Sequence, residues 1–171
     1  MALWRNGGFA ENTWTAMVDD QPAPASGAIL VSLARWRKER ASLIGRADPV
    51  GVEVSAGADA LEHLADAADR PLVALRFDKF ADGRAFSYAI LLRERHGFMG
   101  ELRAVGDVLL DEIPLMLRCG FTSFETVNAP TVRALEQGGL PHFVLAYQPG
   151  LALGEAPAGT RPWLRRARAR A

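Results

Sequence analysis

The stretch that decides the fold is Leu72-Val73-Ala74-Leu75-Arg76-Phe77, followed by the loop Asp78-Lys79-Phe80-Ala81-Asp82-Gly83-Arg84 and then by Ala85-Phe86-Ser87-Tyr88. The first six residues are almost all apolar, which is typical of a buried strand, and the loop opens a helical pattern. A strand, a short loop and a helix make up half of a βαβ unit. Ligands of such proteins bind beyond the carboxyl ends of the strands, so this loop is the first place to look for a site.

The same alternation recurs outward from this unit. Strands are predicted at residues 29–33, 50–54, 72–77, 101–105 and 123–127, and helices at 34–44, 58–68, 85–96, 107–118 and 130–138. The pattern predicts an α/β fold with an open, mainly parallel five-stranded sheet flanked by helices. Three layers are expected. A curl like half a barrel stays open as an alternative, because the pattern does not give strand order, and a complete eight-fold barrel needs about 250 residues.

Two segments flank this domain, which we place at residues 28–148. Residues 1–18 are predicted to form a β-hairpin around the turn Asn6-Gly7, with Phe9 and then residues 14–18 supplying its return, and residues 19–27 form a linker. Residues 149–171 read as a flexible Arg-rich tail. Contact of that tail with an acidic partner or nucleic acid is the alternative.

Composition narrows the classes of function. The chain has 171 residues and a formal net charge of zero, so nucleic-acid binding is not expected. One cysteine excludes an intrachain disulfide and fits a reducing cytoplasm, which is the predicted location. The sequence has neither a signal-like start nor an apolar run near the roughly 18 residues of a membrane span.

The loop and its neighbours form the predicted ligand site, which consists of Lys79, Asp82, Gly83, Arg84, Ser87 and Asp107. Lys79 and Arg84 can hold an anion at the start of the following helix, where free backbone N–H groups also point. Ser87 adds a hydroxyl donor, and Asp82 can orient Arg84 or cap the helix. The alternatives are an ion-paired, capped loop with no ligand, and a plain helix cap for Asp107.

Other chemistry has less support in the sequence. The three histidines are far apart in the chain, and no metal site is predicted. No motif for a flavin, NAD, haem or an iron–sulfur cluster is present, so the cofactor and any catalytic residue are left unknown. Cys119 lies at the end of a predicted helix, which disfavours the thiolate and indicates a buried structural thiol. Glu101 and Arg103 alternate with apolar residues and must be paired if their strand is central.

Three ordered motifs give the chain a family resemblance. They are Phe77-Asp78-Lys79-Phe80-x-Asp82-Gly83-Arg84-x-x-Ser87, then Gly100-Glu101-Leu102-Arg103-Ala104-x-Gly106-Asp107, then Arg118-Cys119-Gly120-Phe121. Over residues 28–148 the chain resembles the bacterial family called domain of unknown function 934. It departs from the family at Asp78, where a Pro is common, and at Glu112, where a Gln is common.

The resemblance implies a pathway and no chemistry. Members are often labelled probable oxidoreductases of sulfite reduction because their genes lie beside sulfur-assimilation genes, and the family supplies no established catalytic residue. We therefore expect an accessory protein of assimilatory sulfur metabolism, with a small anion or a sulfur-assimilation enzyme such as sulfite reductase as its partner. Two alternatives stay open. One is an enzyme acting on a phosphorylated or sulfated small molecule, with Asp82 or Asp107 as base. The other is a non-catalytic scaffold.

Overall fold

The computed structural model describes residues 1–78 and 82–141. Its strands are β1 (Ala2–Arg5), β2 (Gly8–Ala10), β3 (Thr15–Ala16), β4 (Ile29–Ser32), β5 (Val50–Ser55), β6 (Leu72–Phe77), β7 (Glu101–Gly106) and β8 (Ser123–Thr126). The helices are α1 (Leu33–Ile44), α2 (Ala58–Glu62), α3 (Arg84–Ile90), α4 (Ile113–Arg118) and α5 (Ala129–Glu136). A 3₁₀ turn (Leu64–Ala67) follows α2, and a π-helical turn (Leu91–Arg95) continues α3.

The eight described strands form a single mixed sheet in the order β2-β1-β8-β7-β6-β5-β4-β3. Strands β3 to β8 are parallel and lie side by side in chain order, while β1 and β2 add antiparallel pairs at the β8 edge. The five predicted strands are confirmed as β4 to β8. The prediction of five strands in all was wrong, because the N-terminal strands join this sheet instead of standing before it.

All five described helices pack on one face of the sheet, so this part of the chain has two layers and the prediction of three was wrong for it. Neighbouring parallel strands with crossovers of one hand place each connecting helix on the same side. The main core accordingly joins helix residues such as Trp36 and Leu92 to strand residues such as Val52, Leu75 and Ala104. The second core cluster contains strand residues from the opposite face, and Trp14 packs against it.

The connection between β2 and β3 shows that the sheet is curled. These strands form its two ends, and a flat sheet would separate them by seven strand spacings, about 34 Å. Ala10 and Thr15 are joined by so short a segment that their Cα atoms lie at most about 18 Å apart. We name residues 11–14 the strap. Because its side chains contact the helix-free face, that face is the concave one, and we call it the inner face.

Two predicted boundaries near the N-terminus had different outcomes. The turn at Asn6-Gly7 is confirmed, since both residues have positive φ and Arg5 pairs with Gly8. Phe9 lies in the return strand β2, as predicted, but the assignment of residues 14–18 to that return was wrong. Trp14 instead packs on the inner-face cluster of Leu30, Leu72, Ala74 and Val105, and this burial takes Thr15–Ala16 to the far edge beside β4.

The helix predicted at 107–118 was wrong in its start, because α4 begins at Ile113. Pro114 explains the difference, since a proline is tolerated in the first turn of a helix and breaks its interior. Asp107 therefore caps no helix. The other predicted signals are confirmed: the Asn128 side chain caps α5, and Gly120 and Gly138 follow α4 and α5 with positive φ.

Candidate functional site

Asp82 and Arg84 form a fork-shaped ion pair at the start of α3. Nε and Nη2 of Arg84 donate to the two carboxylate oxygens of Asp82 over 2.8 and 2.6 Å. The Arg84 backbone N–H also donates to Asp82 Oδ1 at 3.2 Å. The hydrogen bond and charge of Asp82 raise the pKa of Arg84 above its ordinary value. Asp82 therefore orients Arg84, which is one of the two roles that the sequence predicted for it.

The remaining predicted site residues lie on nearby elements at the carboxyl edge of the sheet. Gly83 is the cap residue of α3, and Ser87 lies on an exposed position of that helix. Asp107 follows β7, is exposed, and donates its backbone N–H to the carbonyl oxygen of Phe77. Within the described residues, no hydrogen bond or ion pair joins Asp107 to Arg84. Lys79 lies outside the described residues.

Carboxylates gather after β7. Asp107, Asp111 and Glu112 follow one another in the segment that leads into α4. Burial raises the pKa of Glu112, and the charges of Asp111 and Asp107 raise it further. This part of the carboxyl edge therefore carries negative potential, which opposes the binding of an anion close to Asp107.

A second ion pair, which the sequence prediction missed, lies on the inner face near the carboxyl ends of β5 and β6. Nε and Nη2 of Arg76 donate to the two oxygens of Glu53 over 2.5 and 2.9 Å. The hydrogen bond and charge of Glu53 raise the pKa of Arg76, and the charges of Asp78 and Glu125 act in the same direction. The Arg76 side chain keeps 37% of its exposure, so solvent still reaches it.

Arg103 is the centre of a polar network deeper on the inner face. It is 1% exposed, and its guanidinium donates to Glu101 Oε1 over 3.0 and 2.8 Å and to Asn12 Oδ1 over 3.0 Å. Asn12 also donates to Glu125, which lies 3.4 Å from Arg103 Nη1. The prediction that the charges of Glu101 and Arg103 must both be paired is confirmed, since they pair with each other, and the strap supplies a further partner for Arg103.

The alternation of side chains along β5 to β8 was a signal in the sequence that could have predicted the charged residues of the inner face. Each of these strands has a charged residue in its alternating pattern, namely Glu53, Arg76, Arg103 and Glu125, and the first three are flanked by apolar residues on both sides. Successive side chains on a strand point to opposite faces, so charges at matching positions share a face. The sequence prediction applied this rule to β7 alone and followed the loops elsewhere.

Cys119 is buried and unpaired, in agreement with the structural thiol that the sequence predicted. Burial raises the pKa of its thiol, which keeps it protonated at neutral pH. Among the described residues, no three His, Cys, Asp or Glu side chains are grouped as metal ligands would be. The described helices are also too short or too polar to cross a membrane.

The fold and these sites define a class: an α/β protein with a curled, sequentially ordered sheet, whose helices cover one face and whose charges line the other. The chain matches the model of a bacterial protein family of unknown function, DUF934, over residues 51–157. The match spans more than half of the chain, and the chain belongs to this family. Comparisons with curated proteins and with solved structures found no match.

Proposed function

We propose that this chain is an accessory protein of assimilatory sulfur metabolism that docks a partner enzyme, such as sulfite reductase, through the carboxyl edge of its sheet. The sulfur context rests on the labels of the family that the chain resembles. The docking surface rests on the loop before α3 and its neighbours. Gly83, Arg84, Ser87 and Asp107 are all exposed there, so a partner can reach them without any change in the fold.

The state of Arg84 favours docking over anion capture at this loop. Asp82 already accepts two hydrogen bonds from its guanidinium, and the Arg84 side chain is 57% exposed, so water competes with an anion there. Exposed ion pairs contribute little to stability, but charged side chains at a rim steer a partner and set its orientation. Lys79 belongs to the proposed site by the sequence prediction alone, since it lies outside the described residues.

The alternative that the chain is an enzyme has less support from the described residues than docking has. A base must take a proton from a substrate, and both oxygens of Asp82 accept hydrogen bonds from Arg84. Asp107 is exposed and lies beside further carboxylates, which would repel a phosphate or sulfate group.

Charge reversal on the two ends of one helical segment tests the docking surface. Arg84→Glu changes the carboxyl edge, and Arg95→Glu makes the same change at an exposed position at the other end of that segment. We expect Arg84→Glu to weaken binding to purified sulfite reductase at least tenfold, about 1.4 kcal/mol, and Arg95→Glu to leave it within twofold. Titration calorimetry at fixed ionic strength measures both affinities.

Equal weakening by the two variants would contradict a docking site at this edge. The pathway has a separate test in a strain that lacks the gene. We expect that strain to grow poorly on sulfate and normally on cysteine, and normal growth on sulfate would argue against the sulfur assignment.

A further inference from the structure

We infer that Arg76, held in place by Glu53, is the binding residue for a small oxyanion on the inner face of the sheet, near the carboxyl ends of β5 and β6. The docking residues Gly83, Arg84 and Ser87 lie around the start of α3 instead, and the inference does not depend on the proposed function. The ligand class is one with two oxygens on one atom, such as a carboxylate, phosphate or sulfate group. Three properties of Arg76 carry the inference, namely its geometry, its fixed position and its partial exposure.

The first property is the geometry of the Arg76 guanidinium, which uses only one of its two hydrogen-bonding edges to bind Glu53. Glu53 accepts from Nε and Nη2, which is the side edge of the guanidinium. The planar guanidinium has a second, end edge that presents Nη1 and the other hydrogen of Nη2. Among the described residues, Nη1 of Arg76 makes no hydrogen bond. Two parallel N–H groups at that edge match the spacing of two oxygens in an oxyanion.

The fixed position distinguishes Arg76 from other arginines with the same fork. Arg70 and Arg84 also donate Nε and Nη2 to one carboxylate, but each pairs with a residue one or two positions away in a loop or helix start. Arg70 in addition lies over the ring of Trp36 at 4.4 Å. Arg76 is on a central strand and pairs with the neighbouring strand, so less side-chain freedom is lost when an anion binds.

Partial burial makes the interaction stronger than it would be in open solvent. The side chain of Arg76 is 37% exposed, against 57% for Arg84. Charged hydrogen bonds gain strength as water is excluded, whereas fully solvated ones are screened. The residual exposure of the Arg76 side chain leaves solvent, and therefore a small ion, a way to reach it.

The charges around the site give the inference a second, independent prediction. The inner-face arginines Arg5, Arg76 and Arg103 balance the glutamates Glu53, Glu101 and Glu125. Asp78 adds a negative charge that acts on Arg76, as the raised pKa of Arg76 reflects. Removal of this charge by Asp78→Asn should therefore tighten anion binding.

Titration of sulfate, phosphate and acetate, each against potassium chloride at equal ionic strength, provides the test. The measurement is the shift of the backbone amide resonances of Ser55, which pairs with Arg76 in the sheet, and of Phe77, since both remain in every Arg76 variant. We expect at least one of the three anions to shift them with a dissociation constant in the millimolar range. The Arg95→Met variant, changed at an exposed arginine outside both sites, should bind within twofold of the wild type, and Asp78→Asn at least twofold more tightly.

Arg76→Met should weaken binding at least tenfold. Because that change leaves Glu53 without a partner, the double variant Arg76→Met/Glu53→Gln provides a second form without the unpaired carboxylate, and it should lose binding equally. A response to none of the anions beyond the chloride control would overturn the inference. So would equal losses in Arg76→Met and Arg95→Met, or unchanged binding in a folded Arg76 variant.

Discussion

Gly106 ends β7 at the point where the chain turns toward the candidate site. Its φ is +93°, and a Cβ atom there would overlap the carbonyl oxygen of Phe77. That oxygen accepts the backbone N–H of Asp107, so the close approach fixes the start of the acidic segment. Both the backbone angle and the contact require glycine at this position.

Gly106→Ala should therefore destabilise the protein strongly. We expect a loss of at least about 3 kcal/mol in the free energy of unfolding, from the strained φ and the overlap together. Gly27→Ala is the matched control, because Gly27 has φ +96° but open space around its Cα. It should lose about 1 kcal/mol. Urea unfolding at pH 7 measures both, and similar losses would show that the contact with Phe77 contributes nothing.

The comparison of these two glycines also shows a limit of sequence reasoning. Gly27 follows Ser26 at the end of a linker, and Gly106 precedes Asp107 at the end of an apolar strand. Neither sequence context indicates how closely other atoms approach the glycine. The tolerance of each position depends on which backbone lies opposite, and that follows from the tertiary structure alone. The same holds for Arg76, whose partner Glu53 is on another strand.

At the scale of single elements, α5 depends on one cap. Asn128 Oδ1 accepts the backbone N–H and the hydroxyl of Thr131, both at 2.9 Å. Asn128→Ala should cost about 1 kcal/mol because it leaves the first turn without this acceptor. Asn128→Asp keeps the acceptor and adds a favourable charge at the helix start, so it should be neutral or stabilising. Thermal unfolding compares the three proteins, and equal midpoints for all of them would contradict a capping role.

Elements were predictable where local chemistry decides them. Asn128 followed by Pro130 specifies a helix start through one cap and one fixed φ, and the structure confirmed it. The prediction of a helix from residue 107 was wrong because the apolar spacing there resembles a helix, while Pro114 prevents a helix from continuing through it. The prediction for Trp14 was wrong for another reason, since the packing of Trp14 against β4, β6 and β7 overrides the hairpin pattern.

At the scale of the whole molecule, the inner-face network links stability to pH through Glu101. Burial acts to raise the pKa of Glu101, but hydrogen bonds from Ser123 and Arg103 and the charges of Arg103 and Arg5 outweigh it, so the pKa lies below its ordinary value. A lowered folded-state pKa adds stability above the unfolded-state value, and this stability is lost as pH falls through the folded-state pKa.

Glu101→Gln should therefore be less stable than the wild type at pH 7, with a difference that shrinks as pH falls below about 4.5. Glu112→Gln provides a comparison of opposite sign, because burial raises the pKa of Glu112. That variant should be more stable than the wild type at neutral pH and lose its advantage in acid. Urea unfolding between pH 3 and 7 measures both, and a pH-independent difference for Glu101→Gln would contradict the linkage.

The curl is the feature that the sequence could least predict. Apolar strands and helices in alternation are compatible with sequential and with doubly wound strand orders, and these orders place the helices on one face or on both. The decisive fact is the short segment between β2 and β3, which becomes informative once the two strands are known to lie at opposite ends of the sheet. The inner-face charges follow from this arrangement, because they lie on the face that none of the described helices covers.

The position of β1 also has a consequence for the order of folding. Ala2 pairs with Thr126, and Arg5 pairs with Ser123, so β1 needs as its neighbour the strand that ends the described parallel series. Contacts between residues so distant in sequence form slowly, because a long loop must close before they add stability. We therefore expect β1 to pair after β4 to β8 have formed, and the strap, with Asn12 and Trp14, to close over the inner face late in folding.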